Sequence, residues 1–350
     1  MKVLMTGVDK NRLGGMWTVA NNYISSKSYN KEVDLTYIAT STNGNFVKRT
    51  ILMIKAFIKI KRELSKNKYD LVHIHMAEKG STFRARIITK IAKKHKTKVI
   101  IHMHAGPFVD WYNSLNVKKK KKIKELLSLA DLVLVLGEYW KKSLTKIVDK
   151  NKIKVLYNGV KMPKKNSYNI NGKFITYMGV LKKEKGIYDL INAIKIIDNK
   201  LDKKYIIKLC GIDLEGNIQK YVDENGLNKR IELVGWVNET KREEIYKNTI
   251  LNILPSYYEA LSMTVIESMA NGIPIITTDI STMYEVLNNK EQLIRPGDVN
   301  SLAELILKLV EDKPRLKEIS SCSYKRCKEY FNVESSINNT IKLYSNIIEK

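Results

Sequence analysis

Residues 251–278 read LNILPSYYEALSMTVIESMANGIPIITT. The opening LNILPS is an apolar run that closes on Pro255 and Ser256, the mark of a buried strand entering a loop. SMTVIESMANG (262–272) spaces its apolar residues as a helix does. Gly272 then supplies the left-handed residue that ends such a helix. IPIITT (273–278) is β-branched and apolar again. Strand, helix, strand is a βαβ unit, and such units build parallel sheets covered by helices on both faces. The same stretch holds two carboxylates, Glu259 in the loop and Glu267 about a turn and a half into the helix. Ionised carboxylates are costly to bury without partners, so their presence beside a helix start calls for an explanation.

Outward from this unit the pattern repeats. MKVLMTG, VDLTYIAT, DLVHIHM, KVIIHMHA and DLVLVLG read as short buried strands, with amphipathic stretches such as ILMIKAFIKIKRELSK and FRARIITKIAKKH between them. Around YNGVKMPKKNSYNINGKF (157–174) the pattern lapses into polar residues, glycine and proline, which reads as a linker. It restarts with FITYMGV, YIIKLCG, IELVGW, ILNILPS and IPIITT. The expected fold is α/β with two Rossmann-like doubly wound domains, residues 1–160 and 161–330. Ligands of such sheets bind at the carboxyl ends of the strands, and with two domains the natural site is the cleft between them.

Composition narrows the class. The 350 residues contain no internal repeat, and no apolar run of about 18 residues that would span a membrane. The start lacks the apolar core of a secretory signal, so the cytosol is the expected compartment. Three cysteines, Cys210, Cys322 and Cys327, are too few and too irregular for a disulfide framework or zinc site. The charge is uneven. Residues 1–160 hold 33 Lys+Arg against 11 Asp+Glu, a net of +22, whereas residues 161–350 hold 29 against 25, a net of +4. A basic first half points to an anionic partner for that half, nucleic acid or a membrane surface, or else to drift of the composition toward lysine.

The two glutamates can now be placed. The turn Ala260–Leu261–Ser262–Met263 offers backbone N–H groups at a helix N-terminus, a ready anion site. Glu259 precedes those amides and Glu267 follows them. A ligand with phosphate between two hydroxyl-bearing ends satisfies all of these groups, because each carboxylate accepts hydrogen bonds from vicinal hydroxyls. A nucleotide sugar has that layout. The plainer alternative is a capping glutamate and a solvent-facing one.

The stretch resembles the donor-binding region of retaining GT-B glycosyltransferases, the large family 4 class. Glu259 and Glu267 match its two glutamates separated by seven residues, and MANGIPII its ending. The resemblance covers nearly the whole chain: Gly14–Gly15 match the glycine loop after the first strand, YNGV the end of the first domain and LKKEKGIYDLINAI the start of the second. IELVGWVNETKREEIYKN, with Gly235 and Trp236, matches the segment flanking the base pocket. By that resemblance Glu259 holds the transferred sugar and Glu267 the ribose. Lys185 and the amides of Leu261, Ser262 and Met263 take the diphosphate, with Gly15 at the first domain's phosphate-facing turn. The family also has residues 331–350 as a helix crossing back to the first domain. One departure stands out. Where the family has an arginine after the glycine matched by Gly179, this chain has Val180, leaving Lys182 or Lys183 as substitutes.

Four of the five histidines fall in HIHMA (His73, His75) and HMHAG (His102, His104). Residues two apart on a strand share a face, so a metal site is one reading and a histidine core another. The resemblance places His104, before Ala105–Gly106, near the transferred sugar with His75 second, and implies no bound metal and no cofactor beyond the nucleotide-sugar co-substrate. Taken together these readings lead to a retaining hexosyltransferase acting on a lipid-linked or glycan acceptor of cell-surface polysaccharide. It would sit in the cytoplasm, held peripherally at the inner face of the membrane. An epimerase of the same architecture and a basic nucleic-acid-binding protein are the alternatives. NVKKKKKIKELLSLA (116–130), a lysine run entering a helix, suits a membrane surface better than nucleic acid, for which no module appears.

Overall fold

A computed structural model describes residues 1–12 and 14–349. The chain divides into two compact units, Met1–Gly159 with Val333–Lys350, and Val160–Asn332. The expectation of two doubly wound sheets holds.

In the first unit the strands are β1 (Lys2–Val8), β2 (Asp34–Ser41), β3 (Leu71–Met76), β4 (Lys98–Met103), β5 (Leu132–Val135) and β6 (Ile153–Val155). They form one parallel sheet in the order β2-β1-β3-β4-β5-β6. Its helices are α1 (Gly15–Ser25), α2 (Lys27–Glu32), α3 (Phe46–Lys66), α4 (Gly80–Lys94), α5 (Phe108–Asn113), α6 (Val117–Leu129), α7 (Glu138–Leu144) and, from the far end of the chain, α15 (Val333–Ile348). β3 and β5 are buried along their whole length, as strands covered on both faces must be. Right-handed crossovers from β2 through α3, β3 through α4 and β4 through α6 put these three helices on one face, where α3 packs on α4 and α4 on α6. On the other face α15 packs on α2.

The four histidines form a column in this core. His75 and His102 are opposed in the register of β3 and β4. The His73 and His75 rings stack at 4.6 Å, and those of His102 and His104 lie 4.2 Å apart. Hydrogen bonds join His73 Nε2 to His102 Nδ1 at 3.3 Å and His75 Nδ1 to His104 Nε2 at 2.8 Å. Tyr344 on α15 closes the column by hydrogen-bonding His73 Nδ1, and Tyr29 OH donates to Tyr344 OH at 3.3 Å. The last helix is thus tied to the first unit through a buried polar chain, helped by Ser336 Oγ donating to the Tyr157 carbonyl at 2.8 Å.

In the second unit the strands are β7 (Phe174–Met178), β8 (Ile206–Cys210), β9 (Ile231–Gly235), β10 (Thr249–Leu254), β11 (Ile275–Thr278) and β12 (Leu293–Ile294), in the parallel order β12-β11-β10-β7-β8-β9. The helices are α8 (Ile187–Ile197), α9 (Ile218–Glu224), α10 (Glu239–Tyr246), α11 (Met263–Ala270), α12 (Met283–Leu287), α13 (Val299–Glu311) and α14 (Lys313–Tyr330). The stretch read as a linker holds the division between the two units, at Gly159–Val160, and carries no helix or strand before β7. From Val160 onward it is seated on this unit. Val160 bridges to Asn332, Tyr168 OH donates to the Ile250 carbonyl at 2.9 Å, and Asn166 Nδ2 donates to Ser320 Oγ at 2.9 Å. Tyr168 also packs against the cluster of Met178, Tyr246 and Ile273. The stretch is a loop held down by one aromatic ring and side-chain amides, anchors that carry no periodicity.

Burial, together with the neighbouring imidazoles, holds His73, His102 and His104 well below the usual histidine value, and burial pulls His75 down to about 3. These rings are neutral in the folded chain. An unfolded histidine takes up its proton near pH 6.5, so below that pH the unfolded state binds more protons and folding stability falls as pH falls. Each ring contributes up to about 1.4 kcal/mol per pH unit, from pH 6.5 down toward its folded value. Thermal unfolding followed from pH 7.5 to 5 should show a steep loss of midpoint below pH 6.5, reduced in His73→Asn. A midpoint flat across that range would mean that the column takes up protons without unfolding.

Candidate active site

The order of the second sheet fixes where a site forms. β7 leads outward to β8 and β9, whereas β10, on its other side, leads to β11 and β12. The loops that leave the carboxyl ends of β7 and β10 therefore diverge, and the notch at such a switch point is where doubly wound sheets hold ligands. Lys185 ends the single 3₁₀ turn Lys183–Lys185 after β7, and Glu259 lies in the loop after β10.

The two side chains meet. Lys185 Nζ donates to Glu259 Oε1 at 2.6 Å, and Ser256 Oγ donates to the same oxygen at 2.9 Å. The Glu259 side chain is only 10% exposed, so the lysine provides the charge that its burial demands. The loops are locked where they cross. Gly186 has φ +70, and a Cβ there would lie 2.0 Å from the Pro255 carbonyl oxygen. No other residue fits that approach. Tyr257 N–H donates to the Glu184 carbonyl at 3.0 Å. From the segment after β11, Ser281 Oγ donates to the Glu259 carbonyl at 2.7 Å and Thr282 Oγ1 to the Ala260 carbonyl at 2.8 Å.

α11 opens directly behind this pair. Leu261 and Ser262 are buried and Met263 is the first helical residue. The Ser262 side chain makes no capping hydrogen bond, so the N–H groups of the first turn are not covered by their own cap. Thr264 Oγ1 donates to the Met178 carbonyl at 2.9 Å, fixing this helix to the end of β7. The helix ends as the sequence suggests, with Gly272 at φ +67 after Asn271.

Glu267, one turn further on, has a partner that the sequence reading missed. Arg242 on α10 places NH1 3.3 Å from Glu267 Oε2. Burial raises the Glu267 carboxyl above its ordinary value while Arg242 opposes the rise and Glu239 adds to it. Glu267 and Arg242 are 25 positions apart, and nothing in the periodicity of ETKREEIY points one arginine among its charges at that carboxylate; α10 is brought there by the packing of its Ile245 and Tyr246 with Met178, Cys210 and Ile273. Gly235, at φ +76, and the exposed Trp236 lie at the same edge of the sheet, at the end of β9. Val180 cannot supply a cation. Its carbonyl accepts from Tyr177 OH at 2.9 Å, Lys182 pairs with Glu184 at 3.9 Å, and Lys183 is exposed.

His104 and Gly15 belong to the first unit. His104 directly follows β4, its N–H donating to the Met76 carbonyl at 2.8 Å. Gly15 opens α1 behind Gly14, at φ 126. His73, His75 and His102 each bring a ring nitrogen within 4.8 Å of the others, close enough to share an ion. Two of these rings are already hydrogen-bonded to each other and one to Tyr344, so the cluster also serves as a polar core satisfied in part from within. Buried and without a hydrogen-bond partner are His75 Nε2 and His102 Nε2.

Two paired carboxylates and an uncapped helix start, gathered at the switch point of a parallel sheet, define a site for an anionic, hydroxyl-rich ligand. The model of the glycosyl transferases group 1 matches residues 161–326 and that of glycosyltransferase family 4 matches residues 24–162. The chain belongs to the group 1 glycosyltransferases of GT-B fold. It is 25% identical to the Escherichia coli UDP-Gal:alpha-D-GlcNAc-diphosphoundecaprenol alpha-1,3-galactosyltransferase, over 89% of this chain and 86% of that one. It is 24% identical to the processive diacylglycerol alpha-glucosyltransferase of Acholeplasma laidlawii, over 72% and 79%. HepE of Anabaena, solved with UDP-glucose, superposes with a TM-score of 0.77 at 16% identity, covering 99% of this chain and 100% of that one.

Removing the cation beside Glu267 tests the geometry. Arg242→Ala leaves a mostly buried carboxylate unpaired, and should lower stability by about 1–3 kcal/mol in urea unfolding. Arg242→Lys should restore most of the loss. Parent-like stability in Arg242→Ala would remove Arg242 from the site.

Proposed function

We propose that the protein transfers a hexose from a nucleotide diphosphate sugar to a lipid-linked acceptor of cell-surface polysaccharide, with the anomeric configuration retained. The observation that carries this reading is the Lys185–Glu259 contact of 2.6 Å at the switch point, with α11 opening behind it. Glu259 holds hydroxyls of the transferred sugar and Glu267 the vicinal hydroxyls of the ribose. Lys185 and the amides of Leu261, Ser262 and Met263 receive the diphosphate. Gly235 and Trp236 flank the base, while the assignments of Gly15 to the phosphate and of His104 to the transferred sugar rest on the family resemblance alone. The relatives named above support the donor and acceptor classes, since one uses a UDP-sugar and a diphospho-lipid and another diacylglycerol.

As the sugar–phosphate bond breaks, negative charge grows on the leaving diphosphate. Lys185 and the helix-terminal amides stabilise that charge where it develops. With Val180 in place of the family's arginine, Lys185 carries more of this load than in its relatives. The acceptor hydroxyl attacks from the side the diphosphate leaves and passes its proton to it, which retains the configuration. His104 is neutral, because burial and its neighbours keep it so, and therefore contributes hydrogen bonding rather than charge. No metal ion or further cofactor enters this scheme. No helix among the described residues is long and apolar enough to cross a membrane. The protein reaches a lipid-linked acceptor from the cytoplasm by peripheral association, through the basic first domain and its lysine run Lys118–Lys122.

A panel of nucleotide sugars tests the donor assignment. One of them should raise the unfolding midpoint and be consumed on adding a polyprenyl-diphosphate glycan, with the product's anomeric coupling matching the donor's. Lys185→Ala should slow transfer by about 10- to 150-fold, the loss of a charge-assisted hydrogen bond of about 1.5–3 kcal/mol. Glu259→Gln should lose most activity while still folding cooperatively, at a midpoint lowered by the lost pairing with Lys185. Parent rates in both variants would move the donor out of this notch.

A further inference from the structure

We infer that the N-terminal ends of α3, α4 and α6 form a surface that inserts into an anionic lipid bilayer, with Phe46, Val47, Phe83 and Val117 entering its apolar layer. This rests on the membrane part of the proposal above and adds to it a place and a depth. α3 buries Ala56, Ile60 and Leu64 against its own unit. Its other side is apolar as well. At about 100° per residue, Val47, Ile51, Ile54 and Ile58 fall within an arc of about 60° on the far side of the helix. All four are exposed, Val47 by 62% and Ile58 by 64%. Single exposed apolar residues are ordinary, but a continuous stripe on the outward face of a helix marks an interaction surface.

The kind of partner follows from what borders the stripe. Lys48, Lys55, Lys59, Arg62 and Lys66 are exposed and run along one side of it. Apolar residues on one strip and basic residues beside it are the arrangement by which a helix lies in a bilayer interface, its lysines reaching up to the headgroups. The neighbouring helices repeat the pattern. Crossover helices of a parallel sheet all begin at the carboxyl edge of the strands, so the first turns of α3, α4 and α6 form a row. Those turns carry Phe46, Phe83 and Val117, exposed by 80%, 54% and 81%. The Lys118–Lys122 run directly follows Val117. At the same edge Arg84 Nε is buried with no hydrogen-bond partner. Burial lowers the Arg84 guanidinium to about 10, helped by Arg12 and Arg49 nearby. Three guanidinium groups crowded at one edge suit phosphate, which a bilayer of anionic headgroups presents in quantity. β3, with His75 next to its last residue, and β4, directly before His104, end at this edge too, so a lipid-linked acceptor would enter the first unit where the bilayer touches it.

The test uses the full chain with phosphatidylglycerol vesicles and with neutral phosphatidylcholine vesicles. An environment-sensitive fluorophore is placed at Val47→Cys, or at Lys220→Cys on α9 as a control, with the exposed Cys322 changed to Ser. The parent should float with anionic vesicles, and the label at 47 should shift to the blue while that at 220 does not. The triple variant Phe46→Ser, Val47→Ser, Phe83→Ser should bind at least about tenfold more weakly, and its residual binding should vanish in salt. These residues are exposed, so unfolding midpoints should match the parent's. If the parent binds, but the label at 47 stays in water and the triple variant binds equally well, the contact is electrostatic adsorption. Insertion is then overturned while the membrane reading stands. No flotation of the parent overturns both. A parent that is dimeric without vesicles and becomes monomeric in the triple variant assigns the surface to a second copy of the chain, and overturns the bilayer.

Discussion

The second unit is organised around one ion pair in a notch. Glu259 is nearly buried, and its burial is sustained by Lys185 and Ser256. Reaching that lysine requires the loops after β7 and β10 to cross at backbone contact, which only Gly186 allows against Pro255. Those loops leave a shared notch because β7 and β10 are neighbours from which the chain winds in opposite directions. Topology, a glycine and an ion pair thus depend on each other in that order. A ligand with negative charge for Lys185 and hydroxyls for Glu259 replaces the pair's mutual contact without leaving either group unpaired, which an uncharged sugar or a bare phosphate does not achieve.

The same reasoning explains why the ligand-free site holds together. Both carboxylates have an internal cation, Lys185 for Glu259 and Arg242 for Glu267. Without those cations, two carboxylates in one small notch would sit largely desolvated with nothing opposing the penalty. Burial already pushes Glu267 toward its neutral form and Arg242 holds it back. Any hydroxyl that hydrogen-bonds Glu267 must therefore share it with an arginine already in place, which holds the carboxylate in its orientation beforehand.

Much of this was legible in the sequence, for a physical reason. Strands covered on both faces are written as short β-branched runs, and the alternation of LVHIHM or TILNIL with amphipathic stretches gives the parallel sheets directly. The carboxylates at 259 and 267 and the helix start between them are local, and so is Gly272. What the sequence hid is long-range. Arg242 is one charge among several in its helix, and only the packing of α10 selects it. Residues 160–173 looked like a linker because a single tyrosine and a few amides seat them. The histidine pairs were visible as two strands sharing a face. Their closure by Tyr344, some 270 residues away, was not.

That closure bears on how the first unit divides its work. A column of neutral imidazoles, capped by tyrosines from α2 and α15, is buried in the sheet and ends at His104. Because each ring engages its neighbour, the orientation of His104 is set from within the core rather than by solvent. Neutrality matters in a unit of net charge +22. A protonated histidine in this column would repel the neighbouring imidazoles once they too were charged, whereas a neutral one adds nothing. The unit therefore keeps its positive charge on the helices, where a surface or a phosphate can meet it. The ends of β3 and β4 are left to imidazoles that hydrogen-bond each other without charge.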